Sequence, residues 1–366
     1  HKKPSGVWIM AYTSVDNSEL YFQTKLYTGN GGTQSITLDG SEDMQPDWVW
    51  IKNRSGTDVH ALYDSVRGVN KNLRSDATSA EGSQSTGLTS FDSDGFGVGD
   101  TGSVNTNSNN FVSWNWKAGT SFSNDASATS IGTIDSAGSI STASGFSIIT
   151  WTGNATSSQS VAHGLGAVPK AIFTKNTNNA SQPWKCYFSA VGNAKYLQLN
   201  TSDEPATSGV WSSTTPTSSI ISISNDTGIN GSGNTILAYC FTDIKGYLKI
   251  GSYTGNGNTD GTFVYTGFKP AFVMIKRSSS TGNWYIADNK RDTFNVVSKA
   301  LFPNANSAEG DLASNTPLDF TSNGFKLRNS NLTGDTNINI SGSTYVYMTF
   351  AESPFVNSNG VPNNAR

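Results

Sequence analysis

The chain is predicted to be all-β, with three separate tandem antiparallel β-sandwich repeats and almost no helix. Three observations carry that expectation. A set of motifs recurs three times in one order, the strands that close each copy alternate with period two, and turn signals stand between them. No long stretch shows helical periodicity.

The first recurring motif is an aromatic followed by Thr-Gly-Asn: Tyr27 to Asn30, Trp151 to Asn154 and Tyr253 to Asn256. The second opens with Pro and closes with Lys: Pro46 to Lys52, Pro169 to Lys175 and Pro270 to Lys276. Tyr27 and Trp151 lie 124 residues apart and Pro46 and Pro169 lie 123 apart; the next intervals are 102 and 101. The motifs therefore travel together as one unit. The third is the closing strand, FVSWNWK from Phe111, ILAYCFT from Ile236 and YVYMTFA from Tyr345. A fourth copy, VWIMAYT from Val7 to Thr13, has no Pro strand before it. The expected organisation is 1–26 as the closing strand of a partial preceding repeat, 27–118 as repeat 1 and 119–144 as a Ser/Thr/Gly-rich linker or short edge strands. Repeat 2 follows at 145–242 and repeat 3 at 247–355, with a tail at 356–366. A unit near 100 residues suits one sandwich and is too long for a solenoid repeat.

In the closing strands one phase is large and apolar: Trp8, Met10 and Tyr12; Val112, Trp114 and Trp116; Leu237, Tyr239 and Phe241; Val346, Met348 and Phe350. The other phase holds mostly small or polar residues such as Ser113, Asn115, Ala238, Cys240 and Thr349. One core face and one wet face are expected. The Pro strands run apolar on both phases, as in Trp48-Val49-Trp50-Ile51, and read as central strands. Asp94-Gly95 and Asn323-Gly324, each before a Phe, predict type I′ hairpins. Repeat 2 lacks this pair, so its hairpin should differ.

Charged residues make up 14% of the 366 residues, against about 25% in an average soluble domain. Ser, Thr, Asn and Gly fill the gap, while aromatics at 11% supply core area. The net charge of −3 argues against nucleic acid as a partner. No run of about 18 apolar residues is present, so no membrane insertion is expected. No signal-like segment is read. Since it starts at His1, the chain is expected to be a fragment or a processed product. Cys186 and Cys240 make no disulfide framework. Aligned repeats place Cys186 with Leu62 and Ile286 on the core phase. Cys240 falls on the opposite phase, so the two should not bond.

Several residues invite a chemical reading. Asp64 and Arg67 recur as Asp288 and Arg291, a possible acid with its electrostatic partner, but repeat 2 has neither. A salt bridge that orders a loop is the favoured reading. The Thr-Gly-Asn loops offer amide and carbonyl oxygens, yet only Asp260 is near, and Asx-turn chemistry is favoured over a metal site. His1, His60 and His163 show no zinc spacing; His163 precedes Gly164 and Gly166 in a tight turn. No nucleophile elbow is present. Trp184, Trp211 and Trp284 are candidates for stacking on sugars, with burial in the core favoured. No catalytic residue, metal or cofactor is expected, and no binding residue is assigned.

The strings GFSIITWTGN, HGLGAVPKAIFTKN, ILAYCFTDIKGYLKIGSYTGN, FTSNGFKLRN and YVYMTFAESPF with the terminal PNNAR resemble repeats at the C-terminal end of tailed-bacteriophage virion proteins, common in marine phages. These are described as tail-fibre or minor structural proteins. The match is close over repeats 2 and 3 and looser over repeat 1, which has QPDWVWIKNR but no HGLG. The resemblance implies concanavalin-type, lectin-like jelly-roll sandwiches on the surface of a virion. It implies a non-enzymatic tail fibre or receptor-binding adhesin contacting host surface polysaccharide, with other virion proteins as partners and a homo-oligomeric state. A capsid decoration or head-fibre protein is the alternative, and a polysaccharide depolymerase a third reading.

Overall fold

The computed structural model describes residues 13–312, 317–328 and 337–364. The strand pattern at Val7 to Thr13 lies, except for Thr13, outside the described residues. Within them the chain is almost wholly strand and turn, with helices of only four residues such as Gly102–Asn105, Ala126–Thr129 and Thr227–Asn230.

Each repeat builds the same four-stranded antiparallel sheet. In repeat 1 the opening strand Phe22–Thr28 pairs with the closing strand Asn110–Trp116. The closing strand pairs with the Pro strand Trp48–Asn53, and that with the return strand Ala61–Asp64. Repeat 2 repeats this order with Phe146–Thr152, Thr235–Phe241, Ala171–Asn176 and Lys185–Phe188. Repeat 3 does so with Leu248–Thr254, Thr344–Pro354, Phe268–Arg277 and Trp284–Asp288. The Pro strands are therefore internal, as their two apolar phases require. Pro46 and Pro169 precede their strands. Pro270 lies inside its strand at a register shift, where a missing N–H is tolerated.

A smaller sheet covers the outer face of each. Gln34–Thr37, Gly95–Val98 and Leu88–Asp92 form it in repeat 1, and Phe263–Tyr265, Gly324–Leu327 and Leu318–Thr321 in repeat 3. Repeat 2, without the Gly-Phe pair, has only Gln159–Ala162 and Ile220–Ile223. Residues 119–144 include a hairpin, Thr120–Asn124 and Ser136–Ser141, that adds two strands to the opening edge of repeat 2.

Three sequence expectations need correction. The sandwiches are not separate. Their inner faces converge on one central core holding Trp48, Trp50, Trp114 and Trp116, then Phe146, Phe173, Tyr239 and Phe241, then Phe272, Met274, Met348 and Phe350. Rings meet at every contact between repeats: Trp48 on Tyr239 at 4.2 Å, Trp116 on Phe272 at 5.9 Å and Phe241 on Phe350 at 6.0 Å between centroids. Second, the lighter phase of the closing strands is not wet. Ser113 and Asn115 are buried, and Ala238, Cys240 and Tyr347 belong to the cores between the large and small sheets. Each large sheet is thus the middle layer of three, and period two marks two different interiors.

Third, the hairpins turn on Ser93-Asp94 and Ser322-Asn323, because Asp92 pairs with Gly95 and Thr321 with Gly324. The glycines open the next strand. A Cβ at Gly95 would run into the Ile36 carbonyl oxygen, and one at Gly324 into that of Val264.

Candidate functional site

The residues singled out by sequence fall mainly at the joints between repeats. Asp64 and Arg67 are buried and paired at 2.6 Å, and Asp64 also accepts the Tyr239 hydroxyl of repeat 2 at 2.7 Å. Burial, with Asp64 adding to it, raises the Tyr239 phenol well above its ordinary value, so it stays a donor. Asp288 and Arg291 pair at 2.6 Å, and Asp288 accepts the Trp114 indole N–H of repeat 1 at 3.0 Å. Burial alone would lower the two guanidinium pKa values; the neighbouring acids, Asp64 with Glu81 and Asp288 with Glu309, help to more than offset it, and both Arg67 and Arg291 stay charged. Both carboxylates are fully buried, so neither faces solvent as an acid or base for a dissolved substrate.

His60, Trp184 and Trp284 occupy one equivalent position, two residues before Leu62, Cys186 and Ile286. Each gives its ring N–H to a main-chain carbonyl of another repeat. Trp184 donates to Arg74 at 2.7 Å and Trp284 to Gln198 at 2.8 Å. In repeat 1, Trp50 donates to His60 Nδ1 at 2.9 Å. That fixes the proton on His60 Nε2, which donates to the Phe302 carbonyl at 3.1 Å. These contacts close a ring of three repeats. Trp211 lies in the core of repeat 2 and donates to the Lys195 carbonyl. None of the three tryptophans is exposed, which removes the stacking role considered for them.

The Thr-Gly-Asn loops form Asx turns. Asn30, Asn154 and Asn256 each accept from the N–H two residues on. A partner unseen in the sequence reading holds each loop. Asn105, Asn230 and Asn339 accept the N–H of Asn30, Asn154 and Asn256 at 2.9, 2.9 and 3.1 Å. Tyr27, Trp151 and Tyr253 donate to the carbonyls of Val104, Ile229 and Ile338, just before those asparagines. An apolar-Asn pair six residues before Phe111, Ile236 and Tyr345 is the signal in the sequence. The lysines that close the Pro strands are also structural: Lys52, Lys175 and Lys276 are buried and donate to loop carbonyls. Among the described residues no group of three or more His, Cys, Asp or Glu is placed to hold a metal.

The cysteines stand on opposite faces. Cys186 packs in the central core and Cys240 in the core of repeat 2, and both are free. Burial raises both thiols, Cys240 to about 12, so neither is a ready nucleophile.

Among the described residues, one surface feature with binding chemistry is a cleft of about 520 Å³ in repeat 3. Its lining includes Asp243, Lys249, Tyr265, Thr266, Phe355 and Val356. Phe263 and Tyr265 point outward from an outer-sheet strand, 45% and 59% exposed, with Val264 between them turned into the core. Repeats 1 and 2 carry Ser35 with Thr37 and Ser160 with Ala162 at those places. Asp243 accepts the Ile250 N–H at 2.9 Å and pairs with Lys249 at 2.5 Å. The cleft thus sets an aromatic face beside a carboxylate acceptor and an ammonium donor. Sequence reasoning missed it because a loop, a strand edge and the C-terminal segment meet there.

The fold and its joints define an all-β protein in which three sandwiches close around one core within a single chain. The chain belongs to the DUF7483 family, a domain of unknown function, whose model matches residues 17–354. That one match runs through all three repeats. Comparison with curated proteins and with solved structures found no match.

Proposed function

We propose that this protein is a non-catalytic binding module of a bacteriophage particle, a tail fibre or receptor-binding appendage that contacts host surface glycan. The observation that carries the reading is the repeat 3 cleft, where exposed Tyr265 stands beside the Asp243–Lys249 pair on a rigid scaffold. Sugars present an apolar ring face and a rim of hydroxyls; a flat aromatic with a charged donor and acceptor answers both. The phage setting rests on the repeat strings. The recurring acids Asp64 and Asp288 are committed to joints between repeats, so the reading assigns no reaction. Weak single contacts of this kind gain strength when many copies are displayed.

The test is binding of purified full-length protein to extracted host surface polysaccharide, compared with Tyr265→Ala. Saturable binding that falls at least about tenfold in the variant is expected. Equal binding by both proteins, or release of reducing sugar, would reject the reading. Immunogold labelling of particles should decorate the tail; label on the head would favour a capsid decoration instead.

A further inference from the structure

We infer that the contacts between repeats carry a positional code: the residue ending each return strand selects the repeat whose closing strand faces it. The ladders define the equivalent positions. Asp64, Phe188 and Asp288 pair with Trp48, Ala171 and Phe272 of their Pro strands. Trp114, Tyr239 and Met348 pair with Trp50, Phe173 and Met274. Asp64 of repeat 1 takes the Tyr239 hydroxyl of repeat 2, and Asp288 of repeat 3 takes the Trp114 N–H of repeat 1. At the third joint the code is apolar. Phe188 replaces the acid, Val191 replaces the arginine, and Met348 has no hydrogen to donate; Phe188 and Met348 both lie in the central core.

Acid and donor are therefore present together or absent together. Asp64, Phe188 and Asp288 and the facing Trp114, Tyr239 and Met348 are all buried, so a mismatch is costly in either sense. An acid facing Met348 would lose one hydrogen bond to its charged form, and a tyrosine facing Phe188 would bury a hydroxyl without an acceptor. The ring N–H contacts of His60, Trp184 and Trp284 end on main-chain carbonyls at all three joints and hold any order equally. The side-chain pairs discriminate: the surface that each return strand fits is the following repeat of this chain, in the order 1, 2, 3.

The test uses full-length protein and compares hydroxyl with no hydroxyl at the two equivalent sites, by denaturant unfolding. Native Tyr239 against Tyr239→Phe should show the hydroxyl lowering the unfolding constant about tenfold. Met348→Tyr against Met348→Phe should show it raising that constant by a similar factor, since the comparison cancels the effect of the larger ring. The same sign at both sites would overturn the code. A second arm moves the apolar code to the first joint. Adding Tyr239→Met to Asp64→Phe with Arg67→Val should recover stability, and failure to recover would also count against it.

Discussion

His60 and His163 have both ring nitrogens engaged inside the protein. His60 stands between Trp50 and Phe302; His163 accepts from the Leu165 N–H and meets the Thr217 carbonyl at 3.1 Å. Burial, helped by nearby Lys52, lowers His60 to about 3, and burial lowers His163 to about 4. Unfolded histidine titrates near 6.5. Below that pH the unfolded chain binds more protons than the folded one, so stability is full above pH 6.5 and is lost as pH falls toward 4. The two together are expected to cost on the order of 5 kcal/mol by pH 4. Urea midpoints at pH 7, 5.5 and 4 check this, and His163→Gln should flatten the slope. Gly29 makes a second prediction at this scale. A Cβ there would strike the Thr106 carbonyl oxygen, and the main chain cannot give way. Gly29→Ala should destabilise by about 2 kcal/mol or more.

The element most dependent on one side chain is the Thr-Gly-Asn loop of repeat 1. Asn105 Nδ2 donates to Asn30 Oδ1, Gly32 O and Gly99 O, and its Oδ1 accepts from Asn30 N, all while fully buried. Asn105→Ala removes these bonds and leaves several groups unsatisfied, so a loss of about 2–4 kcal/mol is expected. Asn105→Asp should also fall short, because a carboxylate lacks the amide donors. Hydrogen exchange at Asn30 and Gly31 reports the loop directly and should rise in both variants. The closing strands show how element and context divide. Their alternation is legible in the sequence, but which phase meets which interior is not. The sequence of one strand does not say that a second sheet covers its polar side. Only Ser113, Asn115 and Thr349 hint at it, through hydrogen bonds made within the covered face.

Across the whole molecule, one central core draws on all three repeats, and each repeat reaches both others through a ring N–H or a buried acid. No repeat can leave without exposing part of that core. The protein is therefore expected to unfold in one cooperative transition, with a calorimetric enthalpy equal to the van't Hoff enthalpy. Three resolved transitions in a scanning calorimeter would contradict the shared core. Mass spectrometry of the intact chain should show no change on reduction, since Cys186 and Cys240 open into different cores on opposite faces of one sheet.

Local and periodic features were legible in the amino-acid order. Strand positions, the central place of the Pro strands, the three copies, the altered hairpin of repeat 2 and the opposed cysteines all follow from alternation and register, which act between near neighbours. What those faces meet is set by how the three repeats pack. Asp64, Tyr239, Trp114 and Asp288 are separated by up to 224 positions, and no local pattern links a return strand to the next repeat's closing strand. The cleft beside Tyr265 is likewise a product of assembly. Its strand, its Asp–Lys pair and its Phe355 wall come from separate stretches, and they become one surface only when the third repeat closes.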